Sequence, residues 1–306
     1  MTRYISRRSA AVAVLAGTVS LVLAGCGDSD HDMSGMGHNS MTASPSMPMS
    51  SPSMAGMDHG GMNNGGMDMP AGDGLAATAE GFTLTPVTTA LTAGGTDYKF
   101  KIVDSAGNPV TSYEVEQTKK LHFYLIRSDL TGFQHVHPTL AADGTWSAPL
   151  AATQPGDYRV YTSFTAKNGA GESKAAVLGQ AVKAPGTAAT VKLPATSTTT
   201  KVDGYTLTVR HEPMSGMAHP LSIQVTENGK PVKNLQPYLD TYAHVTAFHN
   251  GDLALTHLHP EGTAKGNGGP DLEFEATFAK TGDYRLFIQF QTGGKLHTAA
   301  ITLRAG

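Results

Sequence analysis

Ala243-His244-Val245-Thr246-Ala247-Phe248-His249-Asn250-Gly251-Asp252-Leu253-Ala254-Leu255-Thr256-His257-Leu258-His259-Pro260 reads as two alternating runs on either side of Asn250-Gly251. Alternation with a period of two marks a strand that buries one face. Asn-Gly tolerates positive φ at both positions, so the sequence predicts a two-residue hairpin turn at 250–251. His249 then faces Asp252, and His244 faces His257 with Cβ atoms about 4.5–5.5 Å apart. His259 lies two residues along the same strand and shares their face, whereas His249 has the opposite parity. Three imidazoles converge on one side of a rigid hairpin.

The same spacing occurs earlier. His122 is followed 13 positions later by His135-Val136-His137-Pro138, as His244 is by His257-Leu258-His259-Pro260. By this repeat His122, His135 and His137 form the equivalent set, with Ser128-Asp129 at the turn. The duplication extends outward. Gly81-Phe82-Thr83-Leu84-Thr85 matches Gly204-Tyr205-Thr206-Leu207-Thr208, and Gly107-Asn108-Pro109-Val110 matches Gly229-Lys230-Pro231-Val232. Gly156-Asp157-Tyr158-Arg159-Val160 matches Gly282-Asp283-Tyr284-Arg285-Leu286. Short apolar runs such as Tyr98–Val103, Leu121–Ile126 and Leu221–Val225 recur between Gly, Pro, Asn and Asp, with no sustained helical period. The expected fold is all-β: two tandem β-sandwich domains over 75–194 and 195–306, each long enough for one core.

Imidazole is the commonest protein ligand for transition metals. A three-nitrogen set suits Cu(II) or Zn(II) with a position left for water. His297, in the last strand, is a candidate fourth ligand for His244, His257 and His259, and this second unit is expected to be the stronger site. His211, Met214, Met217 and His219 form a loop cluster in the second unit only. The alternative is structural: Phe248, Leu253 and Leu255 share the parity of the histidine face, so the imidazoles could cap a core edge. The single cysteine excludes a blue-copper thiolate site and Cys-ligated zinc or iron–sulfur centres. No Ser-His-Asp or Gly-x-Ser-x-Gly arrangement stands out, and no Gly-rich loop opens a helix, so an enzyme is not expected.

The first 25 residues read as a signal peptide, with Arg3, Arg7 and Arg8 before an apolar Ala10–Leu23. Leu23-Ala24-Gly25-Cys26 resembles the lipobox of bacterial lipoproteins, which implies lipidation of Cys26 and a membrane-anchored, extracytoplasmic location. No later apolar run reaches 18 residues, so the lipid would be the sole anchor. Residues 26–74 form a low-complexity tether that holds ten of the thirteen methionines. Its composition cannot bury a core and predicts a flexible span of roughly 40 Å. The chain has 22 basic and 25 acidic residues; three basics fall in the signal and six aspartates in the tether, which leaves 19 of each elsewhere. That balance argues against nucleic acid as a partner, and the acidic tether attracts cations.

Thioether sulfur is a soft ligand that selects Cu(I). The tether candidates are His31, Met33, Met36, His38, Met47, Met49, Met57 and His59, whose segments resemble the Met/His-rich stretches of periplasmic copper-resistance proteins. Gly229-Lys230-Pro231-Val232, His257-x-His259-Pro260, Gly282-Asp283-Tyr284-Arg285-Leu286-Phe287 and Gln289-Phe290-Gln291-x-Gly293-Gly294 together resemble a family of bacterial secreted or lipid-anchored proteins. That resemblance covers residues 80–306 and implies an Ig-like or cupredoxin-like sandwich. The expected function is copper binding, buffering or delivery, with zinc as the alternative metal and a copper exporter or cuproenzyme as the acceptor. The competing expectation is an envelope-displayed Ig-like interaction module with structural histidines.

Overall fold

The computed structural model describes residues 70–306 apart from residue 212. The signal segment, Cys26 and the tether candidates His31, Met33, Met36, His38, Met47, Met49, Met57 and His59 lie outside the described residues. The first half folds as β1 (Thr78–Ala79), β2 (Phe82–Pro86), β3 (Thr96–Val103), β4 (His122–Arg127) and β5 (Gln134–Val136). It continues with β6 (Thr139–Leu140), β7 (Thr145–Leu150), β8 (Gly156–Lys167) and β9 (Ser173–Ala184). The second half has β10 (Thr199–Val202), β11 (Tyr205–Val209), β12 (Ala218–Glu227), β13 (Lys230–Pro231) and β14 (Ala243–His249). β15 (Leu255–Pro260), β16 (Asp271–Thr277), β17 (Gly282–Thr292) and β18 (Lys295–Ala305) complete it.

These strands build two tandem Ig-like β-sandwiches. In the first, the sheet β1-β2-β3-β7-β6 packs on the sheet β5-β4-β8-β9. Alternation does the sorting: Phe82 and Leu84 from β2, with Tyr98, Phe100 and Ile102 from β3, point into a core that includes Phe123, Trp146 and Phe164. In the second, β10-β11-β12-β16 faces β15-β14-β17-β18, and a short β15–β16 pairing joins the two into one nearly closed, barrel-like sheet. Hydrogen bonds from Ser197 N–H and Thr200 Oγ1 to carbonyls of β18 draw the other edge together.

One inner strand of each sandwich is buried on both faces. Every residue of β4 is buried, and so is β14 up to its final His249. Phe123 and Leu125 look into their own core, while Tyr124 and Ile126 look out towards the second sandwich. Val245 and Ala247 look in, and Phe248 looks out. The outward faces meet in a third apolar cluster built from Tyr124, Ile126, Leu130, Tyr161, Val177, Phe248, Leu255 and Phe287. Phe133 stacks on Phe287 with centroids 4.1 Å apart, and Tyr161 O–H donates to the Leu253 carbonyl at 2.6 Å. A β strand that reads as half-exposed in sequence is here covered twice, as happens when sheets stack in more than two layers.

The segment 70–76 threads along this contact. Ala71 N–H donates to Ala175 O, Gly179 N–H to Ala76 O, and Leu255 N–H of the second sandwich to Asp73 O. Two glycines allow the passage: a Cβ on Gly179 would stand 2.0 Å from the Gly74 carbonyl oxygen, and one on Gly74 would stand 2.2 Å from the Tyr161 ring. The connection between the sandwiches is also fixed, because Arg127 donates to the Ala189 carbonyl and Asp129 accepts from Val191 N–H.

Candidate metal centre

The hairpin registers differ from the sequence expectation by two residues. Val245 pairs with Leu258 and Thr246 with His257, so His244 stands opposite His259 and not His257. Phe123 pairs with Val136 and Tyr124 with His135 in the first hairpin. The cause is an aspartate in each loop. Asp252 Oδ1 accepts from Ala254 N–H and Asp129 Oδ1 from Thr131 N–H, and these Asx turns add residues to the loop. Leu253, at φ 66°, closes the second one beyond Asn250-Gly251. A slip of two keeps each side chain on its face, whereas a slip of one would have inverted it. All six motif histidines therefore lie on the outward faces.

Because those faces are pressed together, the rings of the two histidine sets touch and form one continuous cluster. His122 stacks on His244 at 5.5 Å with planes 3° apart, and His135 stacks on His244 at 4.6 Å. His137 lies edge-on to His122 at 5.0 Å. On the other side His257 is 5.0 Å from His244, and His259 is 5.3 Å from His257. Among the described residues, His122, His135 and His137 are the one group of three whose ligand atoms lie within 4.8 Å of one another. The tighter set thus belongs to the first unit, contrary to the expectation that favoured the second.

The protons decide what this set is built for. His122 Nε2 faces the Glu116 carbonyl oxygen at 3.3 Å, and His135 Nδ1 faces Gln289 Oε1 at 2.7 Å. With Gln289 Oε1 as the acceptor, both of these ring nitrogens carry the hydrogen. A neutral imidazole has only one N–H. His122 Nδ1 and His135 Nε2, 3.1 Å apart, are then two lone pairs aimed at each other. Two nitrogens bound to one ion at about 2.0–2.1 Å with a tetrahedral angle stand roughly 3.3 Å apart. An outer N–H held by an oxygen is the usual support of a metal-bound histidine. His137 Nε2, buried and without a hydrogen-bond partner, supplies the third nitrogen.

Burial keeps these rings neutral, the form a metal requires. It pushes the His122 pKa down to about 4 and the His137 pKa to about 3. Burial, followed by the neighbouring rings, drives His135 and His244 well below the usual range and His257 to about 3. His244 Nε2 meets Tyr124 Oη at 3.0 Å, while His244 Nδ1, His257 Nδ1 and His259 Nε2 are buried without partners. Buried ring nitrogens are ordinarily hydrogen-bonded. Four unpaired ones stand in this one cluster, where a metal ion could be coordinated.

His297 does not join them. It pairs with Phe290 across β17–β18, one residue out of phase with Gln289, and so turns to the inner face of its sandwich. There Nδ1 bonds Asp203 Oδ2 at 2.7 Å and Nε2 bonds Thr292 Oγ1 at 2.9 Å, leaving no free nitrogen. Parity counted along β17 would have revealed this. His249 bonds Asp252 at 2.7 Å, and His219 accepts from Met214 N–H at 3.1 Å; both have structural partners. Met214 and Met217 are exposed. Sequence reasoning missed Gln289, Glu116 and Tyr124, which hold the histidines in place. Gln289 and Tyr124 act from the opposite sandwich, and no local spacing marks them.

The fold and site define a tandem Ig-like β-sandwich protein with a histidine cluster between its two units. The chain belongs to the family described as a domain of unknown function (DUF8832), matched twice, over residues 77–178 and 200–306. No curated protein matches the chain. Among solved structures it is similar to the Yersinia pseudotuberculosis adhesin InvE, at 16% identity over 73% of this chain and 58% of that chain, with a TM-score of 0.22. It is also similar to a tetra-tandem repeat in the extending region of a large adhesion protein: 14% identity, 74% and 49% coverage, TM-score 0.23. The fibronectin(III)-like modules of Clostridium thermocellum CbhA give 10% identity, 73% and 93% coverage and a TM-score of 0.19. The chain spans about half the length of the first two of these relatives.

Proposed function

We propose that this protein is an extracytoplasmic metal-binding protein that holds a divalent transition ion between its sandwiches at His122, His135 and His137. The observation that supports the reading is the 3.1 Å approach of His122 Nδ1 and His135 Nε2, which are both bare when the oxygen behind each ring accepts its N–H. Three neutral imidazoles favour Cu(II) or Zn(II). His244, His257 and His259 repeat the same constellation and form a second, looser set. The Met/His tether would collect Cu(I), and lipid on Cys26 would hold the assembly at a membrane for delivery to an exporter or cuproenzyme. The role is binding, not catalysis.

Equilibrium dialysis of the full chain against Cu(II) or Zn(II), with and without His135→Ala, tests the trio. The substitution is expected to remove one tightly held equivalent. Identical uptake by both proteins rejects the reading.

A second reading has a specific observation behind it. The apolar strip of Phe133, Phe248, Phe287 and Tyr161 makes the cluster part of a packed junction, which supports an interaction module with structural histidines. With the Gln289 amide reversed, its NH2 would donate to His135 Nδ1, and His135 Nε2–H to His122 Nδ1. That relay satisfies two rings but leaves His137 Nε2, His244 Nδ1, His257 Nδ1 and His259 Nε2 without partners. On that reading chelator leaves the protein's thermal stability unchanged.

A further inference from the structure

A cavity of about 450 Å³ opens beside the trio, with Glu114, Glu116, His122, Ser163, His257 and His259 in its wall. Glu116 is exposed at its mouth, and His122, only 5% exposed, forms part of its floor. His257 Nδ1 and His259 Nε2 are buried, have no hydrogen-bond partner and belong to rings that line this space. Their ring centroids are 5.3 Å apart with planes 79° apart. That spacing lets one nitrogen from each ring approach a common ion at about 2.0–2.1 Å. Glu275 lies directly across from His259 in the β15–β16 pairing and is exposed, which places a further carboxylate next to His259.

We propose that this cavity is the loading port of the trio, in which His257 and His259 form an outer site for an aquated divalent transition-metal cation and Glu116 is the carboxylate that receives it. The inference rests on the trio binding metal and adds a second ion site and a route. A cation arriving from solvent meets carboxylate first, a ligand that suits a hydrated ion. It exchanges waters for the two imidazoles of the second sandwich. His122 joins port and trio, because its ring lines the cavity while its Nδ1 faces His135. Inward transfer exchanges one neutral nitrogen donor for another and releases bound water, with no change in oxidation state.

The experiment titrates Zn(II) alone into the metal-free full chain against a chromophoric chelator and follows loading by stopped flow. The tether contributes equally to every variant. His257→Ala/His259→Ala is expected to lose one equivalent while the equivalent removed by His135→Ala remains. His259→Gln, which keeps the side-chain volume, is expected to lose the same equivalent and guards against misfolding. Glu116→Gln is expected to keep both equivalents and to load about 10-fold more slowly. Unchanged stoichiometry and unchanged rate in all three overturn the port. A wild-type chain that binds no ion sensitive to His135→Ala overturns the trio, and the port with it.

Discussion

At the scale of single residues, the position of one proton on each ring organises the site. Gln289 reaches across from the second sandwich to His135 Nδ1 at 2.7 Å, and the orientation of its amide sets which nitrogen of His135 is bare. Gln289→Leu is expected to weaken metal binding 10- to 100-fold in a competition titration, the usual effect of losing a residue that orients a ligand. Unchanged affinity would mean that His135 is oriented by something else. The depressed histidines also set a pH dependence for the metal-free protein. Their folded pKa values lie below the usual 6.5, with His122 at about 4 and His257 at about 3, so the unfolded chain binds more protons in between. Stability is therefore full above about pH 6.5 and is lost as pH falls towards 4. Denaturant midpoints at pH 7.5, 6 and 5 check the sign; a midpoint that rises on acidification contradicts it.

At the scale of elements, the histidine hairpins were legible because their alternation and duplicated spacing are local facts. The shared face of His122, His135 and His137 follows from parity alone. The exact register did not follow, because Asp129 and Asp252 fold back on their own loops and move the turn. What β4 and β14 lacked in sequence was any sign of a second partner. The polar side of a half-buried strand and the side covered by another domain are both written with His, Thr and Tyr. The 70–76 segment was equally silent, although it is among the most sterically constrained pieces of chain. Gly179→Ala would press a methyl into the Gly74 carbonyl oxygen and the Val160 carbonyl oxygen. It is expected to destabilise the protein by roughly 1–3 kcal/mol in urea unfolding, since backbone on both sides leaves little room to yield. A neutral result would show that the segment can be displaced at no cost.

At the scale of the whole molecule, two cores and one shared strip form a continuous stack, and the strip carries the histidines. A metal that binds only the docked arrangement stabilises both sandwiches together. Zn(II) or Cu(II) at about one hundred times its dissociation constant is expected to add about 2.7 kcal/mol and raise the melting temperature by roughly 5–10 °C, with chelator reversing the shift. Differential scanning fluorimetry with and without chelator measures it; no shift favours the structural reading of the histidines. The two repeats meet through the outward faces of β4 and β14. Residues 185–198 join them, and Arg127 and Asp129 hold that joint against the first hairpin. Covalent connection makes the meeting of the two halves a first-order event, governed by effective and not bulk concentration. A site assembled this way persists at dilutions that would dissolve a pair of free subunits.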